Sequence, residues 1–423
     1  MTNAAVKVCR WISRTRGVCR RRDAIGVALG LILLLTSSSE AQTFTVLHQF
    51  SGGTDGENPQ AGVVRDAAGN LYGTTLLGGS SDNCLFIGPG CGAVFKIDAN
   101  GDETVLHSFT GDPDDGAYPF AGLILGEDGS LYGTTFGGGG SNNGTVFRLS
   151  NSGQAGILFA FGVSDGANPF GGVIMGKNGT LYGTTQEGGA GDSCWSGCGT
   201  VFKLYKAGNE TVLFSFAPPA TYPTAGMTMD TTGNLYGTTS GDGGGLGTVF
   251  MLKKNRTVPA RTLYTFGGGA GGQTPHGGVV RDARGRLYGM TYLGGDVNNC
   301  IYSDGYGCGV LYELDPDGKE TVLHTFTGPP DGALPYADLL RDEAGNLYGT
   351  TTFGGAFGYG TVFKLDKHRK MTILHSFANT DGATPYSTLI QDDVGNLYGT
   401  TFYGGNFTCG PQYGCGVVFK ITP

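Results

Sequence analysis

Charged residues are scarce in this chain of 423 residues. Asp, Glu, Lys and Arg make up 15% of the sequence, and there are only two Trp and six His residues. The longest apolar run, residues 24–35, is shorter than the ~20 residues that a membrane-spanning helix needs. The low charge argues against a disordered polyelectrolyte, and the short run is unfavourable for a membrane span.

Residues 1–41 have the features of a secretory signal. Seven Lys and Arg residues precede the apolar run, and small residues at Ser39 and Ala41 fit a cut before Gln42. We therefore predict removal of residues 1–41, with an uncleaved signal anchor as the alternative.

The mature chain keeps 20 basic and 33 acidic residues and no basic patch of five or more. Its negative field opposes DNA, RNA and anionic lipid, so we expect no nucleic-acid partner.

Glycine and aromatic residues are what the chain has in abundance. It contains 80 Gly, 24 Phe and 20 Tyr residues, and 39% of it is hydrophobic. Aromatic and β-branched segments separated by Gly, Asp, Asn and Pro are typical of short strands joined by tight turns. The composition predicts an all-β protein with enough apolar material for a large core.

A repeat of 50–60 residues dominates the sequence. The pentapeptide LYGTT, with LYGMT in the fifth copy, begins at Leu71, Leu131, Leu181, Leu235, Leu287, Leu347 and Leu397. Before each copy come an apolar stretch and a turn, and after it come a Gly-Gly loop and strands such as GTVFKL and TVLHSF. Four short strands at this period indicate one blade of a β-propeller. The Asp of turns such as Asp66–Gly69 is interpreted as turn chemistry rather than as a metal ligand.

The two ends of the repeat array complement each other. The mature chain opens with TVLHQF, which ends at Phe50, and closes with GVVFKI, which ends at Ile421. TVLHQF corresponds to the fourth strand of the repeat, and the seventh copy lacks that strand. We therefore predict a closed seven-bladed β-propeller over residues 42–423, with four strands per blade and the N-terminal strand completing blade 7.

GNLYGTT, the Gly-Gly doublet and GTVFKL together resemble the GloVer-type tandem repeat of bacterial surface and secreted proteins. The resemblance covers Thr43 to Pro423. It implies a secreted bacterial protein, either extracellular or at the cell surface, with the periplasm as an alternative, and it implies no particular activity. Kelch propellers also use a Gly-Gly doublet and a Tyr, but their Trp has no counterpart in these repeats.

Eight cysteines of the mature chain lie as pairs in the loops after LYGTT of repeats 1, 3, 5 and 7. The pairs are Cys84/Cys91, Cys194/Cys198, Cys300/Cys308 and Cys409/Cys415. In an oxidising compartment, pairing within each loop is the simplest interpretation. Zinc binding is the competing interpretation, but only one pair has a suitable spacing and the blades hold the pairs apart. We predict four local disulfides and no metal site.

The residues at one position of the repeat favour ligand binding. The residue that follows the loop proline enters the innermost strand near the channel mouth, and it is an aromatic ring in five of seven repeats: Phe120, Phe170, His276, Tyr336 and Tyr386. The rings form either a platform for sugar rings or a peptide, or packing between blades. Nearby hydrogen-bond acceptors are predicted in the preceding Asp-Gly loops: Asp115, Asp165, Asp331 and Asp381.

The long loops place any ligand on one face of the propeller. The Asp-Gly-x-Pro loops and the Gly-Gly/Cys loops emerge on the same side, whereas the other side has tight turns. Trp195, the mature chain's one Trp, lies in a cysteine loop on that side. It either contacts a ligand or caps its own loop.

Two functional classes remain open. No nucleophile–base motif is visible, so we predict no catalytic residues, no cofactor and a monomeric binding or scaffold propeller that recognises an extracellular glycan or protein. The alternative is a carbohydrate-active hydrolase or lyase that uses the Asp-Gly-loop carboxylates as acid and base.

Overall fold

The computed structural model describes residues 42–423, apart from 85–86, 191–193, 242–245, 255–259, 299 and 411. Seven antiparallel four-stranded sheets follow one another along the chain, and the innermost segments of all seven surround one central cavity. The chain is therefore an all-β, seven-bladed propeller, as predicted. The predicted signal lies outside the described residues.

Blades 1–6 have their four strands in chain order from the axis to the rim, and so do the three inner strands of blade 7. The innermost strands are Val64–Arg65, Ile124–Leu125, Ile174–Met175, Thr228–Met229, Val280–Arg281, Leu340–Arg341 and Ile390–Gln391. The second strands are Leu71–Thr75, Leu131–Thr135, Leu181–Thr185, Leu235–Thr239, Leu287–Thr291, Leu347–Thr351 and Leu397–Thr401. The third strands are Ala93–Ile97, Thr145–Leu149, Thr200–Leu204, Thr248–Leu252, Val310–Leu314, Thr361–Leu365 and Val417–Thr422. The outer strands of blades 1–6 are Glu103–Ser108, Ala155–Ala160, Glu210–Ser215, Arg261–Thr265, Glu320–Thr325 and Met371–Ser376.

The outer strand of blade 7 comes from the other end of the chain. Thr43–Gln49 pairs antiparallel with Val417–Thr422, so blade 7 contains both ends of the described chain. The predicted closure is confirmed. The remaining regular elements are a two-residue pairing of Gly116–Ala117 with Gly137–Gly138 and the 3-10 turns Lys177–Gly179 and Gly269–Gly271. No helix in the described part of the chain is long and apolar enough to cross a membrane.

The turn before LYGTT is held by its aspartate. The Asp342 carboxylate accepts hydrogen bonds from the backbone N–H and the side-chain amide of Asn346, both at 2.7 Å, and from the Tyr348 hydroxyl at 3.1 Å. The same arrangement occurs at Asp66, Asp230 and Asp392. This confirms the turn role predicted for these aspartates, and it explains why Asn and Tyr recur beside them.

The first Thr of LYGTT forms a hydrogen bond to the next blade in six of the seven blades. The Thr350 hydroxyl donates to the Ser387 carbonyl oxygen at 3.2 Å, and the Thr400 hydroxyl donates to the Ala61 carbonyl oxygen at 2.9 Å. The second of these bonds joins blade 7 to blade 1. The hydroxyls of Thr74, Thr134, Thr184 and Thr238 make the same bond. Blade 5 has Met290 in this position, where the side chain is buried.

The Gly of LYGTT makes room for a ring from the third strand. A Cβ atom on Gly349 would lie 2.7 Å from the Phe363 ring, and Phe363 is completely buried. The same crossing recurs in every blade, with Tyr312 replacing Phe in blade 5. Each ring therefore packs directly over the second strand, which only glycine permits.

Substitution of this glycine should destabilise the propeller. Gly349→Ala should lower the free energy of unfolding by about 1–3 kcal/mol, because the added methyl group overpacks a site that the ring already fills. Gly156→Ala is the matched control, since a Cβ atom on this outer-strand glycine has no atom within 4 Å. Urea titration of both variants measures the difference, and equal stabilities would contradict the packing explanation.

Candidate functional site

The long loops lie on one face of the propeller, and the segments that follow the Asp-Gly-x-Pro loops line the central channel. We call that face the loop face; it is formed by the Asp-Gly-x-Pro loops and the Gly-Gly/Cys loops. The two loop types pair with each other, for example at Ala333 with Phe353 and at Ala383 with Tyr403. The channel holds a cavity of about 290 Å³ whose lining includes the residue after the loop proline in all seven blades. The structure thus brings all five predicted rings to one cavity.

The rings form two groups rather than a continuous circle. Phe120 stacks on Phe170 with 4.6 Å between ring centroids. His276 stacks on Tyr336 at 4.5 Å, and Tyr336 meets Tyr386 edge-on at 4.9 Å. Gln60 and Thr224 separate the two groups along the chain order of the blades. The rings therefore pack between blades and line the cavity at the same time, so both interpretations of this position are compatible with its geometry.

A second set of rings supports the first from behind. Phe136 contacts Phe120 edge-on at 5.1 Å, Tyr292 contacts His276 at 5.1 Å, and Phe402 contacts Tyr386 at 5.4 Å. These residues directly follow LYGTT or LYGMT in blades 2, 5 and 7. These three residues were not predicted from the sequence, although an aromatic residue at the same offset in three repeats was a visible signal.

Among the described residues that line the channel, Asp338 carries the one carboxyl group. It lies two residues after Tyr336, and its Oδ1 atom accepts a hydrogen bond from the Gly278 backbone N–H at 2.5 Å. Burial raises the pKa of the Asp338 carboxyl above its usual range. Asp338 was not among the residues predicted from the sequence.

The four predicted loop aspartates lie elsewhere. Asp115, Asp331 and Asp381 contact the Nε2 atoms of the outer-strand histidines His107, His324 and His375, at 3.2, 2.8 and 2.9 Å. Asp165 accepts hydrogen bonds from within its own loop, from the Ser164 hydroxyl and the Gly162 N–H. None of the four belongs to the described lining of the cavity. The expectation that they lie beside the rings is corrected, because their partners are the outer strand and the loop itself.

Two further glutamates lie beside Asp-Gly loops at the junctions between blades. Burial, together with the neighbouring charge of Asp55 or Asp165, raises the pKa values of Glu103 and Glu210 to about 7. In both glutamates the Oε1 atom is buried with no hydrogen-bond partner among the described residues. Both carboxyls are therefore more stable in the protonated form than a solvated glutamate is.

These two glutamates predict a pH-dependent stability. Their folded pKa of about 7 exceeds the ordinary value of 4.5, so they stabilise the fold fully below pH 4.5 and lose this contribution as the pH rises through 7. Solvent reaches both half-buried groups, so we expect a fall in the free energy of unfolding of only about 1 kcal/mol per glutamate between pH 5 and pH 8. Glu103→Gln should flatten that fall when unfolding is followed by urea titration across this range. Exposed Glu127 gives the control, and a Glu127→Gln slope that changes equally would contradict the assignment.

Each cysteine loop is closed by a disulfide, so the predicted local pairing is confirmed. The four bonds are Cys84–Cys91, Cys194–Cys198, Cys300–Cys308 and Cys409–Cys415. Both cysteines of each pair lie in the loop between the second and third strands, as predicted. The second cysteine lies two residues before the third strand and packs in the hydrophobic core, where three of the four are completely buried and the other is 1% exposed: Cys91, Cys308, Cys415 and Cys198.

The buried cysteines limit what the disulfides can do. A bond from the loop to the core fixes one point of the loop against the start of the third strand, for example at Cys91, next to Ala93–Ile97. None of the eight cysteines belongs to the described lining of the cavity. Their role is therefore to anchor the loops of the loop face, and the completely buried sulfur atoms of Cys308 and Cys415 offer no surface to a ligand.

Exposed aromatic side chains lie within the cysteine loops. Trp195 is fully exposed in the Cys194–Cys198 loop, and Tyr306 and Tyr413 are exposed in the corresponding loops of blades 5 and 7. Trp195 therefore does not cap its own loop, and it does not line the cavity.

The Gloeobacter/Verrucomicrobia repeat matches residues 27–250 and 302–423, which is most of the sequence. The chain belongs to this repeat family. No curated protein matches this member of the Gloeobacter/Verrucomicrobia repeat family. The family assignment confirms the resemblance carried by LYGTT and GTVFKL.

Solved structures are similar to this family member in fold. The extracellular domain described as part of a hybrid two component system from B. thetaiotaomicron is 13% identical, with a TM-score of 0.53, and the match covers 90% of this chain and 41% of that one. The chain thus spans about two fifths of that protein's length. A protein described as a 6-phosphogluconolactonase from Bacteroides uniformis is 17% identical, with a TM-score of 0.48 and coverages of 78% and 95%. A gluconolactonase from Xanthomonas campestris is 16% identical, with a TM-score of 0.41 and coverages of 73% and 85%. At such identities, the first of these likenesses concerns the propeller fold alone.

Proposed function

We propose that this protein is a secreted binding propeller without catalysis, which holds the end of a carbohydrate chain at the channel mouth on the loop face. The observation that carries the proposal is the cavity itself. It combines aromatic side chains from both ring groups with few polar groups, which is the usual composition of a small-molecule site. Aromatic side chains offer sugars a flat apolar surface, and the surrounding loops leave the mouth open.

The size of the cavity limits what enters it. A volume of about 290 Å³ is at the lower end of ligand pockets, which begin near ~300 Å³. A terminal sugar residue therefore suits it better than the middle of a polymer. The remainder of the chain would extend over the loop face, where Trp195 and Tyr413 are exposed.

The carboxyl groups favour binding over hydrolysis at this mouth. Glycoside hydrolysis in most families uses two carboxyl groups that flank the scissile bond. Among the described residues that line the cavity, Asp338 is the one carboxyl group. An acid–base pair of the usual kind is therefore not assembled by the described lining.

One observation favours the alternative, a carbohydrate-active hydrolase. Glu103 and Glu210 combine raised pKa values with a neighbouring loop aspartate, which is the relationship between a general acid and a second carboxylate. Both pairs lie at the junctions between blades and not in the channel. If this alternative holds, Glu103→Gln or Glu210→Gln should abolish turnover of a bound glycan.

Extracellular location belongs to the same proposal. Four disulfides are favoured in an oxidising compartment, and the predicted signal would export the chain there. We propose that the mature chain works as a monomer.

A glycan array followed by a turnover assay tests the proposal. The mature protein should bind a restricted set of glycans with a shared terminal residue, and prolonged incubation should leave those glycans intact. Release of sugar from a bound glycan would support the hydrolase instead. Absence of binding across the array would contradict both carbohydrate proposals.

A further inference from the structure

Asp338 interrupts a ring of glycines around the channel. It occupies the second position after the ring residue, and the corresponding residues of the other blades are Gly62, Gly122, Gly172, Gly226, Gly278 and Thr388. The glycines permit close packing between neighbouring blades, since a Cβ atom on Gly278 would lie 2.8 Å from the Gly226 carbonyl oxygen. Asp338 and Thr388 are the two departures from glycine at this position, and Asp338 is the one with an ionisable side chain.

Asp338 shares the cavity with the rings. Tyr336 and Asp338 lie on either side of a bend at Ala337, just before the innermost strand Leu340–Arg341, and both line the cavity. Tyr386 and Thr388 of the adjoining blade line it as well. A small group inside this cavity is therefore close to the rings and to the Asp338 carboxyl.

The charge of Asp338 is not balanced by the protein. Among the described residues, the Gly278 N–H is the one hydrogen-bond donor to the carboxyl group, and no Lys or Arg lines the cavity. Of the other lining residues, the titratable ones are His276, Tyr336 and Tyr386. Burial disfavours the charged carboxylate of Asp338 and raises its pKa, while the hydrogen bond from Gly278 opposes that shift.

We propose that Asp338 selects a ligand with a primary ammonium group, such as a terminal glucosamine residue, whose amine enters the channel between the two ring groups. This inference rests on the proposed function and names the substrate class of the same site. An ammonium group offers three hydrogen-bond donors and a positive charge to the carboxylate. Aromatic faces within about 6 Å attract such a cation further.

Other partners for Asp338 fit less well. A hydroxyl group can donate a hydrogen bond, but it leaves a negative charge buried in a mostly apolar cavity. A hard metal ion prefers six or more oxygen ligands, and the described residues contain no group of three or more His, Cys, Asp or Glu that could hold a metal. An ammonium group needs only one carboxylate and the surrounding rings.

Three tetrasaccharides with the same β-1,4 backbone test the inference. Isothermal titration of the mature protein should give at least a tenfold higher affinity for the glucosamine tetramer than for the N-acetylglucosamine tetramer or cellotetraose. Asp338→Asn should reduce that preference to about twofold or less. Exposed Asp112 provides the matched control, because Asp112→Asn makes the same change in net charge on the loop face and should retain the preference.

The outcomes separate this inference from the proposed function. Equal affinity of the wild-type protein for all three tetramers, or a preference that survives Asp338→Asn, would overturn the inference. The wild-type comparison alone decides the matter if Asp338→Asn does not fold. If Tyr336→Ala leaves tetramer binding unchanged, the proposed site at the channel mouth fails as well.

Discussion

Deletion of Thr43–Phe50 from the mature chain should lower the free energy of unfolding by at least about 5 kcal/mol or prevent folding. This segment is the outer strand of blade 7, and it connects three blades. Phe44 stacks on His375 of blade 6 with 3.7 Å between centroids, and fully buried Phe50 contacts Phe95 of blade 1 at 5.1 Å. Removal of one buried Phe side chain alone costs about 3–5 kcal/mol, and the deletion also exposes the edge of Val417–Thr422.

Two comparisons make this deletion informative. Thr45→Ala changes an exposed residue of the same strand and should shift the stability by no more than about 0.5 kcal/mol. A synthetic peptide covering residues 42–51 should restore part of the lost melting temperature when it is added to the deleted chain, whereas a scrambled peptide should not. A deleted chain that melts like the parent would contradict closure by this strand.

Tyr336→Ala should weaken binding of the array-selected glycan by about 1–3 kcal/mol, or roughly 5- to 150-fold in the dissociation constant. Tyr336 is half-buried at the mouth and joins His276 to Tyr386 in the second ring group. Its removal takes away both a surface for a sugar ring and the support of its neighbours. Isothermal titration measures the loss, and a melting curve checks that the variant is folded.

Comparison with other aromatic residues locates the effect. Tyr205 is exposed in the turn between the third and outer strands of blade 3, on the face opposite the loops, so Tyr205→Ala should leave the affinity unchanged. Trp195→Ala should weaken the binding of long glycans more than that of short ones, because Trp195 lies outside the channel. Loss of binding from Tyr205→Ala without loss from Tyr336→Ala would show that the ligand binds on the opposite face and would contradict the proposed site.

The fold was predictable because the repeat encodes it in local chemistry. The glycine of LYGTT admits a ring, its tyrosine binds the turn aspartate, and its first threonine binds the next blade. Each of these three residues therefore meets a structural requirement that recurs around the propeller with few exceptions. The complementary ends at Phe50 and Ile421 then determine how the ring closes.

The channel was predictable only in part. Phe120 and Tyr336 occupy the same position of the repeat, and they line one cavity because equivalent residues of a closed ring lie at the same distance from its axis. The same reasoning predicted Asp331 beside the rings, which is wrong, because a position in a loop does not determine the direction of its side chain. Its direction is fixed by His324, which lies seven residues earlier on the outer strand.

Residues that deviate from the repeat, or that meet across blades, could not be assigned a role from the sequence alone. Asp338 is one of two residues that replace a glycine at its position in the repeat, and its meaning depends on a cavity that forms only when seven blades meet. Glu103 and Asp55 belong to different blades, so their proximity depends on the arrangement of the blades rather than on spacing. Both features required three-dimensional placement before their chemistry could be recognised.

Hydrogen–deuterium exchange with and without the array-selected glycan tests the central claim most directly, because it reports which face the ligand covers. We predict slower exchange in peptides that contain residues 118–124, 334–340 and 384–390, which lead from the loop face into the channel. Peptides that contain the opposite turns, such as residues 98–101 and 366–369, should exchange at unchanged rates. Protection confined to those turns, with no change around the channel mouth, would contradict the account.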